Sequence, residues 1–194
     1  MILRILPVVM ALAVGACSAP YEPPVPPSQT VTTVAAHEQA EVAKLTTALL
    51  ALDATVDPEE AERAAQIAYA YTAELKRAYG ITDPPLLHNT KVNMGLRPRG
   101  LCWHWAEDME RRLLSEGFVT LDMHRMISSP SNPFRIDHST AVISAKGHNV
   151  YDGIVLDPWR LGGTLTWDLV REDTRYEWRP RAEVLAEKRA KLAN

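Results

Sequence analysis

Cysteine is scarce in this chain: 194 residues contain two, Cys17 and Cys102. There is no CxxC pair to hold zinc through neighbouring thiolates. No glycine-rich loop of the phosphate-cradling kind is present, which removes the common nucleotide-binding signatures. Basic charge is not in excess either. The net charge is -3, whereas binding a phosphate backbone needs a concentrated basic face, so nucleic acid is excluded as the expected partner. The apolar run from Ile5 to Ala16 falls short of the roughly 20 residues that a spanning helix needs. No repeat divides the chain, and 46% hydrophobic with 23% charged residues fits one ordinary globular domain.

What is present begins with a leader. One early positive charge, Arg4, precedes the apolar run, which predicts a secretory signal over residues 1–16. "VGAC", Val14 to Cys17, resembles the bacterial lipobox, in which the cysteine is lipidated and becomes the first mature residue; an ordinary signal cleaved elsewhere, after Ala19 for example, is the alternative. Ser18 in the next position resembles the pattern of Gram-negative lipoproteins sent to the outer membrane. The expected localisation is therefore the outer membrane, anchored through lipidated Cys17 and facing the periplasm. "SAPYEPPVPPSQT" carries five prolines and predicts an extended spacer, residues 17–31. A single domain is expected over 32–194.

Within that domain, Thr33 to about Leu52 is rich in helix formers. "DPEEAERAAQ" opens a second helix, with Asp57 as cap, Pro58 in the first position and Glu60 where a capping-box acid belongs. It runs to about Tyr79, and Gly80 ends it. These two helices read as a structural layer. "ITDPPLLHNTKVNMGLRPRG" reads as a long irregular connection, a kind of segment that is often functional. "RGLCWHWAEDMERRLL" then starts a helix whose apolar stripe is Cys102, Trp105, Ala106, Met109 and Leu113. "FVTLDMHRMI", "IDHSTAVISA" and "VYDGIVLDPW" read as strands, with "SSPSNP" a loop and "KGHN" a turn. "TLTWDLV" and "RYEWRP" are further candidate strands, and "RAEVLAEKRAKLAN" is a charged terminal helix.

Cys102 holds the chemical interest. Once Cys17 carries lipid, Cys102 has no partner for an internal disulfide, so it is either a packed apolar side chain or a reactive one. A helix N-terminus favours negative charge, and its unpaired N–H groups suit an oxyanion, so the position is right for a nucleophile. A base is then required. His104 is two residues along the same helix and points away from Cys102. His37, His88, His124 and His148 have nothing obvious to orient them. His138 opens one strand and Asp157 closes the next. A turn centred between Gly147 and His148 places Ala145 opposite Val150 and His138 opposite Asp157, on one sheet face. A turn at Asp152-Gly153 would break that pairing; "KGHN" is taken as the turn and "DG" as a bulge.

Cysteine at a helix start, histidine opening a strand and aspartate in "VLDPW" together resemble the transglutaminase-like superfamily, rearranged relatives of papain-type thiol enzymes. The resemblance covers roughly Arg99 to Arg160, with "GLCWHWA" and "VLDPW" as its local motifs. It implies an α+β fold with a transglutaminase-like or papain-like core. The catalytic helix would pack on an antiparallel sheet, and the N-terminal helices would be additions. It also implies a triad of Cys102 as nucleophile, His138 as proton carrier and Asp157 as orienting group. The Cys102 N–H is the first candidate oxyanion donor; Trp103 and Asn93 are weaker ones, and Trp159 is a candidate groove residue. The expected reaction is hydrolysis or transfer of an amide acyl group, on cell-wall peptides or envelope proteins. A non-catalytic binding or assembly module built on the same fold is the alternative. A cell-wall endopeptidase with histidine in the third role fits "LDPW" less well. No metal and no cofactor are expected, since Cys102, His104 and His138 make poor tetrahedral ligands.

Overall fold

The computed structural model describes residues 27–129 and 136–193, with side chains from residue 36 onward. Cys17, the apolar leader and most of the "SSPSNP" loop lie outside the described residues. Five α-helices and five strands follow in the order α1 (Pro27–Leu50), α2 (Pro58–Ala78), α3 (Pro85–Asn93), α4 (Cys102–Leu114), β1 (Leu121–Ser128), β2 (His138–Ala145), β3 (Ile154–Asp157), β4 (Thr166–Leu169), β5 (Arg179–Pro180) and α5 (Arg181–Leu192). The class is α+β: every neighbouring pair in the sheet is antiparallel, in the order β4-β3-β2-β1-β5. Among the described residues no helix is long and apolar enough to cross a membrane.

The central strand β2 is buried along its whole length, so both of its faces are covered. On one face Ala141 and Ile143 join Ile154, Leu156, Met109 and Leu113, together with Leu45, Leu49 and the alanines of α2. The small side chains of Ala61, Ala64, Ala65 and Ala68 present a low ridge, which allows the layer of α1 and α2 to sit close on the core. On the other face Val142 and Val155 pack with Met126, Val170 and Trp178. The expected stripe of α4 is the buried one: Cys102, Trp105, Ala106, Met109 and Leu113 all lie inside.

Several sequence-based expectations need correction. Helix α1 begins at Pro27, inside the stretch read as spacer, since proline is well tolerated at the first helical position. The connection before Cys102 is not irregular throughout. Pro85 stands at the start of α3, and the Asp83–Lys91 ion pair at 2.8 Å spans that helix. Only Arg179 and Pro180 of "RYEWRP" pair as a strand, because Trp178 turns into the core. Asp57 does cap α2, accepting from the N–H groups of Glu59 and Glu60. Glu60, however, does not fold back on the cap. Its carboxylate accepts from the Val119 and Thr120 N–H groups, each at 2.8 Å, and from the Thr120 hydroxyl at 2.6 Å. It thereby ties α2 to the entry of β1. Glu60→Ala strands these donors and is expected to cost about 2 kcal/mol, read as a lower urea midpoint with an unchanged slope.

The hairpin register also differs. β2 and β3 pair as Ala141 with Leu156, Val142 with Val155 and Ile143 with Ile154. Asp157 is therefore two places out of the expected alignment with His138. The slack is taken up by a 3₁₀ turn, Val150–Asp152, beyond the "KGHN" turn. Gly153 follows it, and a Cβ there would stand 2.6 Å from the Ile143 carbonyl oxygen. Only glycine permits that approach. Side chains alternate with period two, so an even slip leaves His138 and Asp157 on the same face.

Candidate active site

The backbone leading into α4 is held by three side chains, His88, Trp105 and His104. The buried His88 lies against Arg99, with its Nε2 2.9 Å from the Arg99 carbonyl oxygen. Gly100 has φ +123°, and a Cβ there would sit 2.4 Å from His88 Nε2, so both conformation and space demand glycine. Trp105 Nε1 donates to the Gly100 carbonyl at 3.1 Å. His104 Nδ1 accepts from the Gly100 and Leu101 N–H groups at 3.1 and 3.2 Å. His104 is thus a neutral capping group turned toward the backbone. Burial, then the Arg99 charge, holds it below its usual titration range. Arg99 in turn meets Asp108 at 3.0 Å, and Asp108 accepts from Tyr79.

Cys102 emerges from this frame as the first residue of α4. Its N–H and that of Trp103 have no carbonyl within the helix to bond, as at any helix start. They and the helix dipole place a positive end beside the sulfur. The thiol is 8% exposed and donates weakly to the Asp137 carbonyl oxygen at 3.7 Å.

His138 is buried, and its Nε2 donates to Asp157 Oδ2 at 2.6 Å. The ring is clamped by Tyr176, Trp159 and Trp178, with centroids 4.5, 4.7 and 5.4 Å away. Nδ1 is buried and has no hydrogen bond among the described residues. Burial disfavours the imidazolium. The hydrogen bond to Asp157 and the charges of Asp157 and Cys102 outweigh that effect, and His138 is raised to about 9. Asp157 has further partners. Arg160 donates to it through Nε at 2.9 Å and through its backbone N–H at 3.2 Å. Arg160 then reaches Asp173, which also accepts from Trp178 Nε1 at 2.9 Å. A buried chain of alternating charge runs from His138 through Asp157 and Arg160 to Asp173.

The structure thus brings Cys102, His138 and Asp157 together with Trp159. Trp103 is 45% exposed and lines a cleft with Cys102. Asn93 is not at the site: it is exposed at the end of α3. Asn89, one helical turn earlier, is the residue that reaches the site, accepting from Trp159 Nε1 at 3.1 Å. Sequence reasoning missed Asn89, Arg160 and Asp173. Only Arg160, three residues after Asp157, had a local signal.

Two separate clefts open beside these residues, one at His138 and one at Cys102. One of about 470 Å³ is walled by Leu86, Ile136, His138, Trp159 and Tyr176. The other, about 290 Å³, contains Cys102, Trp103, Arg125, Ser139 and Arg181. A larger concave space, about 720 Å³ beside α1 and α2, is lined by Glu38, Thr46, Thr47 and Glu62 and contains none of Cys102, His138 or Asp157. Comparison with protein-family models, with curated proteins and with solved structures gives no match for the chain.

Proposed function

We propose that the chain is a thiol enzyme acting on amide bonds, with a transglutaminase-like core. The observation that carries this reading is the His138–Asp157 contact at 2.6 Å, in a histidine whose other nitrogen is buried and has no hydrogen bond among the described residues, and whose charge Cys102 favours. In the reaction, the Cys102 sulfur attacks the amide carbonyl. His138 holds the thiol proton and passes it to the leaving amine, and Asp157 keeps the ring in one orientation. The Cys102 and Trp103 N–H groups, at the start of α4, are placed to receive the developing oxyanion. Water or a second amine then takes the acyl group from the thioester. The chain is further proposed to be anchored through lipidated Cys17 and to face the periplasm. Cell-wall peptides and envelope proteins are the amides within reach there.

The test is the rate of Cys102 alkylation by iodoacetamide between pH 5 and 10. An activated pair predicts fast reaction at pH 6, an inflection near 9 as His138 loses its proton, and a loss of tenfold or more at pH 6 in His138→Ala. A thiol that reacts equally with and without His138 would leave a binding or assembly module as the better description.

A further inference from the structure

We propose that the cleft beside Cys102 is a carboxylate-binding subsite, so that the amide substrate carries a free carboxylate close to the bond attacked. This rests on the thiol-enzyme reading and narrows its substrate class. Arg125 comes from β1 and lines the cleft with Cys102. Its side chain is only 9% exposed, and its ion pair with Glu110 is a long one, 3.5 Å from Nη1. Its Nη2 donates to the Trp103 carbonyl at 3.3 Å and to Ser139 Oγ at 3.2 Å. Its Nε is buried and has no hydrogen bond among the described residues. A buried cation in that condition is costly unless an anion completes it.

Other groups add to the positive field. Arg181 lines the same cleft, and its charge acts unfavourably on Arg125. Two cations held together across a cavity invite an anion between them. Arg181 is also the first residue of α5, whose N-cap, Pro180, offers no side-chain bond to the helix start. The N-terminal ends of α4 and α5 therefore both contribute residues to this one cleft. The flanking carboxylates are already engaged, Glu107 with Arg99 and Arg111 and Asp137 with Lys188. They moderate the field enough to suit a single negative charge rather than a phosphate. A planar guanidinium matches a carboxylate well.

The experiment compares two reagents of nearly equal size. Sulfur displaces iodide from both, but iodoacetate carries a carboxylate and iodoacetamide does not. The readout is the ratio of their rates on Cys102, which cancels changes in thiol reactivity itself. In low salt the ratio is expected to exceed that of a small free thiol such as glutathione by about fivefold. It should fall about threefold in Arg181→Gln and further in Arg125→Gln, and decline in 1 M salt. Arg181 is exposed, so its variant stays informative if the buried Arg125 variant does not fold. A ratio equal to glutathione's and indifferent to Arg181→Gln overturns the subsite. Failure of the enzyme reading is seen separately, as an iodoacetamide rate that ignores His138→Ala, and the ratio still decides the anion site in that case.

Discussion

Asp157→Asn is expected to lower the stability of the domain by about 3 kcal/mol or more. The wild-type carboxylate is 1% exposed and accepts from His138 Nε2, Arg160 Nε and the Arg160 N–H. An asparagine side chain offers one acceptor oxygen and turns an NH₂ toward a second donor. Arg160 keeps Asp173, but His138 loses the only carboxylate that bonds it among the described residues. Burial is the largest single influence on His138 and opposes its charge. Without Asp157 the imidazole should titrate well below 9, and the ring should lose its fixed orientation. Urea unfolding at pH 7 and an NMR titration of His138 read the two effects. Wild-type stability together with an unmoved titration would show that the buried charge chain is not what holds the histidine.

The second large effect is a dependence of stability on pH. His138 is raised to about 9 in the folded chain, against 6.5 for the free side chain. The folded state therefore binds this proton more tightly than the unfolded state does. The resulting stabilisation is complete below pH 6.5 and is lost as pH rises from 6.5 through 9, by linkage about 3 kcal/mol. His104 and His124 are both depressed, first of all by burial. Their contribution has the opposite sign and is already complete above 6.5, so the alkaline window isolates His138. Chemical unfolding at pH 6, 7.5 and 9 should show the decline in the wild type and little of it in His138→Gln. Equal slopes for the two proteins would sink the assignment.

Two of the local signals for the site were strong. A cysteine that opens an amphipathic stripe sits at the start of α4, because the stripe fixes the helix phase and Gly100 precedes it. Likewise a β-branched run opening on His138 and a short one closing on Asp157 form a hairpin whose alternation decides which face each residue takes. The register was read two places wrong, since a 3₁₀ turn and a close approach at Gly153 leave little trace in composition. The error spared the site because the slip was even. Asn93 was expected at the site as a weak oxyanion donor, whereas the asparagine that reaches it is Asn89, which accepts from Trp159, since α3 was not recognised and its phase was unknown.

From the sequence alone come the helix bearing Cys102, the pair of strands bearing His138 and Asp157, and the absence of metal and nucleotide signatures. These follow from local periodicity, capping chemistry and composition, which act over a few residues. Tertiary structure alone decided the register, the use of Glu60 as a strand anchor, the extension of the His138–Asp157 pair through Arg160 to Asp173 and the company Arg125 keeps beside Cys102. Each of these joins residues through packing or hydrogen bonds whose partners are chosen by the position of whole elements. A buried charge finds the counter-group that the fold brings near, and spacing along the chain does not announce which one that will be.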